Sequence, residues 1–118
     1  VTAVATSKPE KYAREIITHF GLDLLFDFVG GSTMDEKRVH KDEVIAYCLE
    51  KLGVPDDMHD TVAMVGDRSY DIIGAKKCGI CAIGVLYGYG SEGELTEAGA
   101  DFIAETVSAL GKVITERP

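Results

Sequence analysis

Apolar residues fall into two alternating patterns along this chain. Short continuous runs predict buried strands at Val1–Ala5, Phe26–Val29, Thr61–Val65, Cys81–Val85 and, more briefly, Asp101–Ile103. Between them the spacing changes to that of amphipathic helices. Pro9–Phe20 repeats Tyr12, Ala13, Ile16, Ile17 and Phe20, and Gly21 stops it; Lys41–Leu52 carries Val44, Ile45, Cys48, Leu49 and Leu52, with Gly53 and Pro55 beyond. A third helix follows Asp67 and ends at Cys78 with Gly79 as its C′ residue, a short one opens at Ser91 and closes at Gly99, and the last runs from about Val107 to Thr115. Two Ser-x-x-Glu sequences, Ser7 with Glu10 and Ser91 with Glu94, read as capping boxes. Strand and helix in strict alternation predict an α/β fold on an open, mostly parallel sheet.

With 118 residues, 46% of them hydrophobic, the chain makes one domain, residues 1–118, with a modest core. The net charge of -8 excludes a nucleic-acid or anionic-membrane partner, and no apolar stretch is long enough to span a bilayer. No repeat, low-complexity tract or linker interrupts it, and the polar loop Gly30–Arg38 is placed to approach a substrate. Three cysteines, Cys48, Cys78 and Cys81, are an odd number and fit a reducing, cytoplasmic compartment. Cys78 and Cys81 form a Cys-x-x-Cys, but at the C-terminus of a helix, where no dipole favours a thiolate, so they read as structural.

The segment Ala63-Met64-Val65-Gly66-Asp67-Arg68-Ser69-Tyr70-Asp71 carries the chemistry. A strand delivers Asp67 to the C-terminal edge of the sheet, and one helical turn sets Asp71 on the same face. Two hard oxygen ligands there suit Mg²⁺ with several waters retained, although an aspartate in such a place also serves as an ordinary helix cap. Thr6 ends the first strand before a helix, so its hydroxyl and the Ser7 amide are candidate phosphate donors, while the Ser7 side chain reads as a cap. Lys41 opens a helix and would offset crowded negative charge. Of the histidines, His40 adjoins Lys41 and could touch phosphate, His19 reads as a helix-surface residue and His59 as a loop residue.

In this order, Thr6, Lys41 and Gly66-Asp67-x-x-x-Asp71 resemble the last three motifs of the haloacid dehalogenase-like (HAD) phosphohydrolases. The tail, Gly84 to Leu95 and Ala98 to Ile103, is similar to the phosphoglycolate phosphatase branch. The resemblance implies a three-layer Rossmann-like core and a Mg²⁺-dependent phosphatase acting on a small phosphorylated metabolite. Thr6, Lys41 and Asp67 would be catalytic, Thr6, Ser7 and Lys41 would bind phosphate, and Asp67 and Asp71 would hold the metal. The family's first motif, Asp-x-Asp, occurs nowhere in the chain. The expectation is therefore a C-terminal portion lacking the nucleophile strand and helical cap, inactive alone. It would pair with the missing N-terminal segment, self-associate, or close Val1–Ala5 directly onto Thr61–Val65. A nucleotidase, a sugar-phosphate mutase, a non-catalytic phosphate- or metal-binding module and a receiver-like domain are the other readings.

Overall fold

The computed structural model describes residues 1–116. The chain forms two compact units, Val1–Asp57 and Met58–Pro118, each built round its own parallel sheet.

In the first unit the order is β1 (Ala3–Pro9), α1 (Glu10–His19), a 3₁₀ turn at Asp23–Leu25, β2 (Phe28–Ser32) and α2 (Lys41–Lys51). β1 and β2 run parallel, Ala3 opposite Phe28 and Ala5 opposite Gly30; the regular ladder then breaks, and Pro9 pairs with Ser32. The strand thus continues to Pro9, past the expected end at Ala5. A residue before proline is held extended, so Lys8 cannot turn into a helix. This corrects the Ser7–Glu10 capping box: Ser7 lies exposed in β1, Pro9 is the N-cap of α1, and no side chain caps that helix. Glu10 reaches instead to β2, where its Oε1 accepts from the Gly31 amide at 3.3 Å.

β2 begins later than expected because Leu24 and Leu25 are spent on the 3₁₀ turn, and it continues through Gly30 and Gly31, which the sequence places in a loop. Gly31 shows why glycine stands within a strand: a Cβ there would lie 2.6 Å from the Lys8 carbonyl oxygen and the Glu10 Cα. α2 buries Val44, Ile45, Cys48 and Leu49 of the expected stripe, while Leu52 is its half-buried C-cap residue. α1 buries only Ala13 of its stripe; Tyr12, Ile16 and Phe20 remain exposed.

A 3₁₀ turn at Asp56–Thr61 spans the boundary between the units, and the second continues with β3 (Ala63–Gly66), α3 (Ser69–Lys77), β4 (Cys81–Val85), α4 (Glu92–Ala98), β5 (Phe102–Ala104) and α5 (Val107–Glu116). Strand order is β3-β4-β5, all parallel, with Ala63 opposite Cys81 and Ile83 opposite Phe102. β1 and β3 lie in different sheets, so the direct pairing of Val1–Ala5 with Thr61–Val65 is not formed. The core is Ile72, Ala75, Ala82, Ile83, Leu95 and Ala104, each fully buried. α3 ends at Cys78 with Gly79 in the left-handed conformation, and α4 ends likewise at Gly99, as the sequence predicts. Cys48, Cys78 and Cys81 are thiols rather than halves of a disulfide. Cys48 is buried against the Val4 carbonyl, 3.6 Å away, and burial pushes its thiol from an ordinary 9.0 up to about 11. Among the described residues no helix is long and apolar enough to cross a membrane.

Candidate active site

Each unit has one strand that carries candidate residues: Thr6 lies within β1, and Asp67 follows β3. In the first, the regular β1 ladder ends at Ala5 and Thr6 begins the irregular stretch. The Thr6 hydroxyl accepts from the Lys8 amide at 3.2 Å, a local turn that fixes the oxygen and leaves the O–H as a donor. Lys41, the first residue of α2, donates its Nζ to the Ala5 carbonyl at 3.3 Å. Residues 36 positions apart in sequence therefore meet where the regular β1 ladder ends. Ser7 is exposed and follows Thr6 directly. His40 is exposed, and its amide donates to the Glu43 carboxylate at 3.0 Å, which secures the start of α2. His19 is exposed at the end of α1, and His59 sits in the 3₁₀ turn with Nδ1 2.8 Å from the Cys78 carbonyl.

Ahead of Lys41, Arg38 clasps the loop that joins β2 to α2. Its Nε donates to the Gly31 carbonyl at 2.8 Å, its Nη2 lies 3.4 Å from Glu10, and its guanidinium stacks 3.5 Å from the centre of the Tyr47 ring. The loop expected to approach substrate is thus tied to the sheet and to α2.

At the end of β3, Gly66 passes directly against Asp71. A Cβ on Gly66 would lie 2.5 Å from Asp71 Oδ2 and 2.6 Å from Cγ, so only glycine fits there. The Asp71 carboxylate, 5% exposed, accepts from the Asp67 amide at 3.1 Å and from the Arg68 amide at 3.2 Å. It does what a helix cap does, but from inside the first turn of α3, and it fixes the turn that carries Asp67. Asp67 is itself held from the loop after β4. Its Oδ2 accepts from the Tyr89 amide at 2.9 Å, and its carbonyl accepts from Gly90, also at 2.9 Å. Gly88 packs on the Asp67 side chain and Gly90 on its carbonyl, so closely that neither position has room for a Cβ.

Arg68 and Glu94 complete this turn, and the sequence did not reveal them. Glu94 Oε2 accepts from Arg68 Nε at 2.9 Å and from the Ser69 amide at 2.7 Å. Both hydrogen bonds hold the Glu94 carboxyl below the usual carboxylate range, and the same contact raises Arg68. The second capping box is therefore half formed. Ser91 Oγ accepts from the Glu94 amide at 3.1 Å, as expected, but the Glu94 carboxylate serves α3. The legible signal was Gly88-Tyr89-Gly90, whose flanking glycines mark a close backbone approach.

Asp67 and Asp71 offer two hard carboxylates at one sheet edge. Among the described residues no group of three or more His, Cys, Asp or Glu side chains forms a closed cage. Mg²⁺ takes just such a donor set, one or two carboxylates with retained waters, so the residues fit that ion.

A model of the haloacid dehalogenase-like hydrolases matches residues 1–85. A 5′-nucleotidase of Pseudomonas aeruginosa is 40% identical over 111 residues, covering 94% of this chain and 49% of that protein. A phosphoglycolate phosphatase of Vibrio parahaemolyticus is 32% identical over 113 residues, covering 95% of this chain and 48% of that protein. The crystal structure of a predicted phosphatase from Clostridium acetobutylicum superposes with a TM-score of 0.90 at 45% identity, covering 97% of this chain and 51% of that one. The chain thus spans about half the length of these relatives.

Proposed function

The chain belongs to the haloacid dehalogenase-like hydrolase family, and we propose that it supplies the metal- and phosphate-binding half of a Mg²⁺-dependent phosphomonoester phosphatase. The β3–α3 turn carries this reading: the Asp67 carboxylate is fixed by a Tyr89 amide, and the turn beneath it by buried Asp71. Such preorganisation serves an aspartate that must meet charge, and a simple helix cap does not need it.

Asp67 would hold the metal directly, and Asp71 would hold it or its waters. Mg²⁺, when bound, neutralises charge on the phosphoryl oxygens. Thr6 donates its hydroxyl, and Ser7 its amide, to the phosphoryl group, while Lys41 offsets the charge of nucleophile and phosphate. The nucleophile is an aspartate outside these 118 residues, because no Asp-x-Asp occurs within them. Its carboxylate oxygen attacks phosphorus as the bond to the ester oxygen breaks, that oxygen leaves with a proton from the motif's second aspartate, and water then hydrolyses the aspartyl-phosphate, returning a proton to that same aspartate. The substrate is a small phosphorylated metabolite. Phosphoglycolate is favoured by the Gly84–Ile103 tail; a nucleoside 5′-monophosphate is the second reading, favoured by 40% identity to the Pseudomonas nucleotidase.

The full-length protein should release inorganic phosphate from one of these two substrates when Mg²⁺ is present, stop when the metal is chelated, and resume when it is restored. The 118-residue polypeptide alone should release none. Turnover that survives chelation, or Mg²⁺-dependent turnover by the polypeptide alone, would overturn the assignment.

A further inference from the structure

Three consecutive backbone amides open the turn into α3, and two carboxylates satisfy them. Asp71, on α3 itself, takes those of Asp67 and Arg68; Glu94, on α4, takes that of Ser69 at 2.7 Å. Glu94 accepts from Arg68 Nε with the same oxygen, so its charge is balanced beside Asp67. The α4 end of this brace is anchored in turn, since Ser91 Oγ caps the Glu94 amide. The residues just before α4 hold Asp67 from its other side, through the Tyr89 and Gly90 amides. A glutamate at the third position of a helix would ordinarily reach back to its own N-cap. Here it crosses to another helix and stiffens the aspartate turn.

We propose that Glu94 is a positioning residue for the metal site: it holds the Asp67–Ser69 turn in the shape that presents the Asp67 carboxylate to a divalent cation. The inference rests on Asp67 being a metal ligand. Groups that orient a ligand without touching the metal commonly change metal affinity by about 10- to 100-fold when removed.

The test is Mn²⁺ binding by the full-length protein, read from the loss of the free-ion electron paramagnetic resonance signal, alongside the melting temperature. Glu94→Gln should weaken Mn²⁺ binding at least about tenfold while the melting temperature changes little. Thr106→Ala, which removes the hydroxyl that accepts from the Ala109 amide at 3.0 Å and lies outside the brace, should lower the melting temperature with Mn²⁺ affinity unchanged. Should Glu94→Gln fail to fold, Glu94→Asp carries the test, because it keeps the charge but falls short of the Ser69 amide. A glutamate variant that binds Mn²⁺ within twofold of wild type, while Asp67→Asn abolishes binding, would overturn the role of Glu94 alone. Mn²⁺ binding unaffected by Asp67→Asn would instead refute the metal site on which it rests.

Discussion

The two strand ends that carry the candidate chemistry are held in opposite ways. After β3, the Asp67–Ser69 turn is fixed by several hydrogen bonds, two carboxylates and glycines with no room for a side chain. Where the regular β1 ladder ends, Lys41 reaches the Ala5 carbonyl at 3.3 Å on a flexible four-carbon stem, and a local turn sets Thr6. A carboxylate that must share a metal needs a fixed direction, because coordination is directional and brings like charges together. A lysine acts as a point charge and tolerates movement. The contrast is between a fixed carboxylate turn in the second unit and an adjustable cation in the first.

The largest expected effect breaks the rigid side. Asp67→Asn should reduce phosphatase turnover by about 10³-fold or more, because several kcal/mol of charge stabilisation depend on its carboxylate. Circular dichroism should show the protein still folded, and near-wild-type turnover at saturating Mg²⁺ would sink the assignment. On the adjustable side, Lys41→Ala should cost about 10²-fold in turnover with little change in melting temperature. Lys41→Arg should recover part of that loss if charge rather than geometry is what matters. A rescue of comparable size by Asp67→Glu would erase the contrast between the two ends.

Gly66→Ala tests the packing beneath the turn. It should destabilise the protein by about 1–3 kcal/mol, measured by urea unfolding, because its Cβ would overlap the Asp71 carboxylate. The smallest effects concern the thiols. Cys48, with its thiol raised to about 11, should stay unmodified by a thiol reagent at pH 8 in the folded protein. Because its folded pKa lies above the unfolded value, its contribution is present below about pH 9 and is lost as pH rises toward 11. A pH titration of stability in wild type and Cys48→Ala should differ in that window. Cys78→Ser should leave turnover nearly intact and cost only modest stability, since Cys78 merely ends α3.

Local rules explain which elements could be read from the chain. β4 and α2 fall where the apolar patterns and stop residues put them, because Gly79 precedes the strand and Gly53 and Pro55 follow the helix. Gly66, Asp67 and Asp71 were legible for the same reason: their spacing fixes a strand-to-helix turn. The Ser7 cap misled because the Ser-x-x-Glu pattern ignores Pro9, which keeps the chain extended. Gly30 and Gly31 looked like loop because glycine usually is; they are strand because backbone and a thiol press against them.

The sequence alone determined the alternation of strands and helices, the family's three motifs and the residues that bear charge at each strand end. It could not determine that Lys41 turns to the end of β1, that Glu94 leaves its own cap to brace α3, or that the Gly88–Gly90 loop grips Asp67. Those contacts join residues 22 to 36 positions apart. Their partners are chosen by which groups the packed strands and helices bring within hydrogen-bond reach, and by the cost of leaving a partly buried amide without an acceptor.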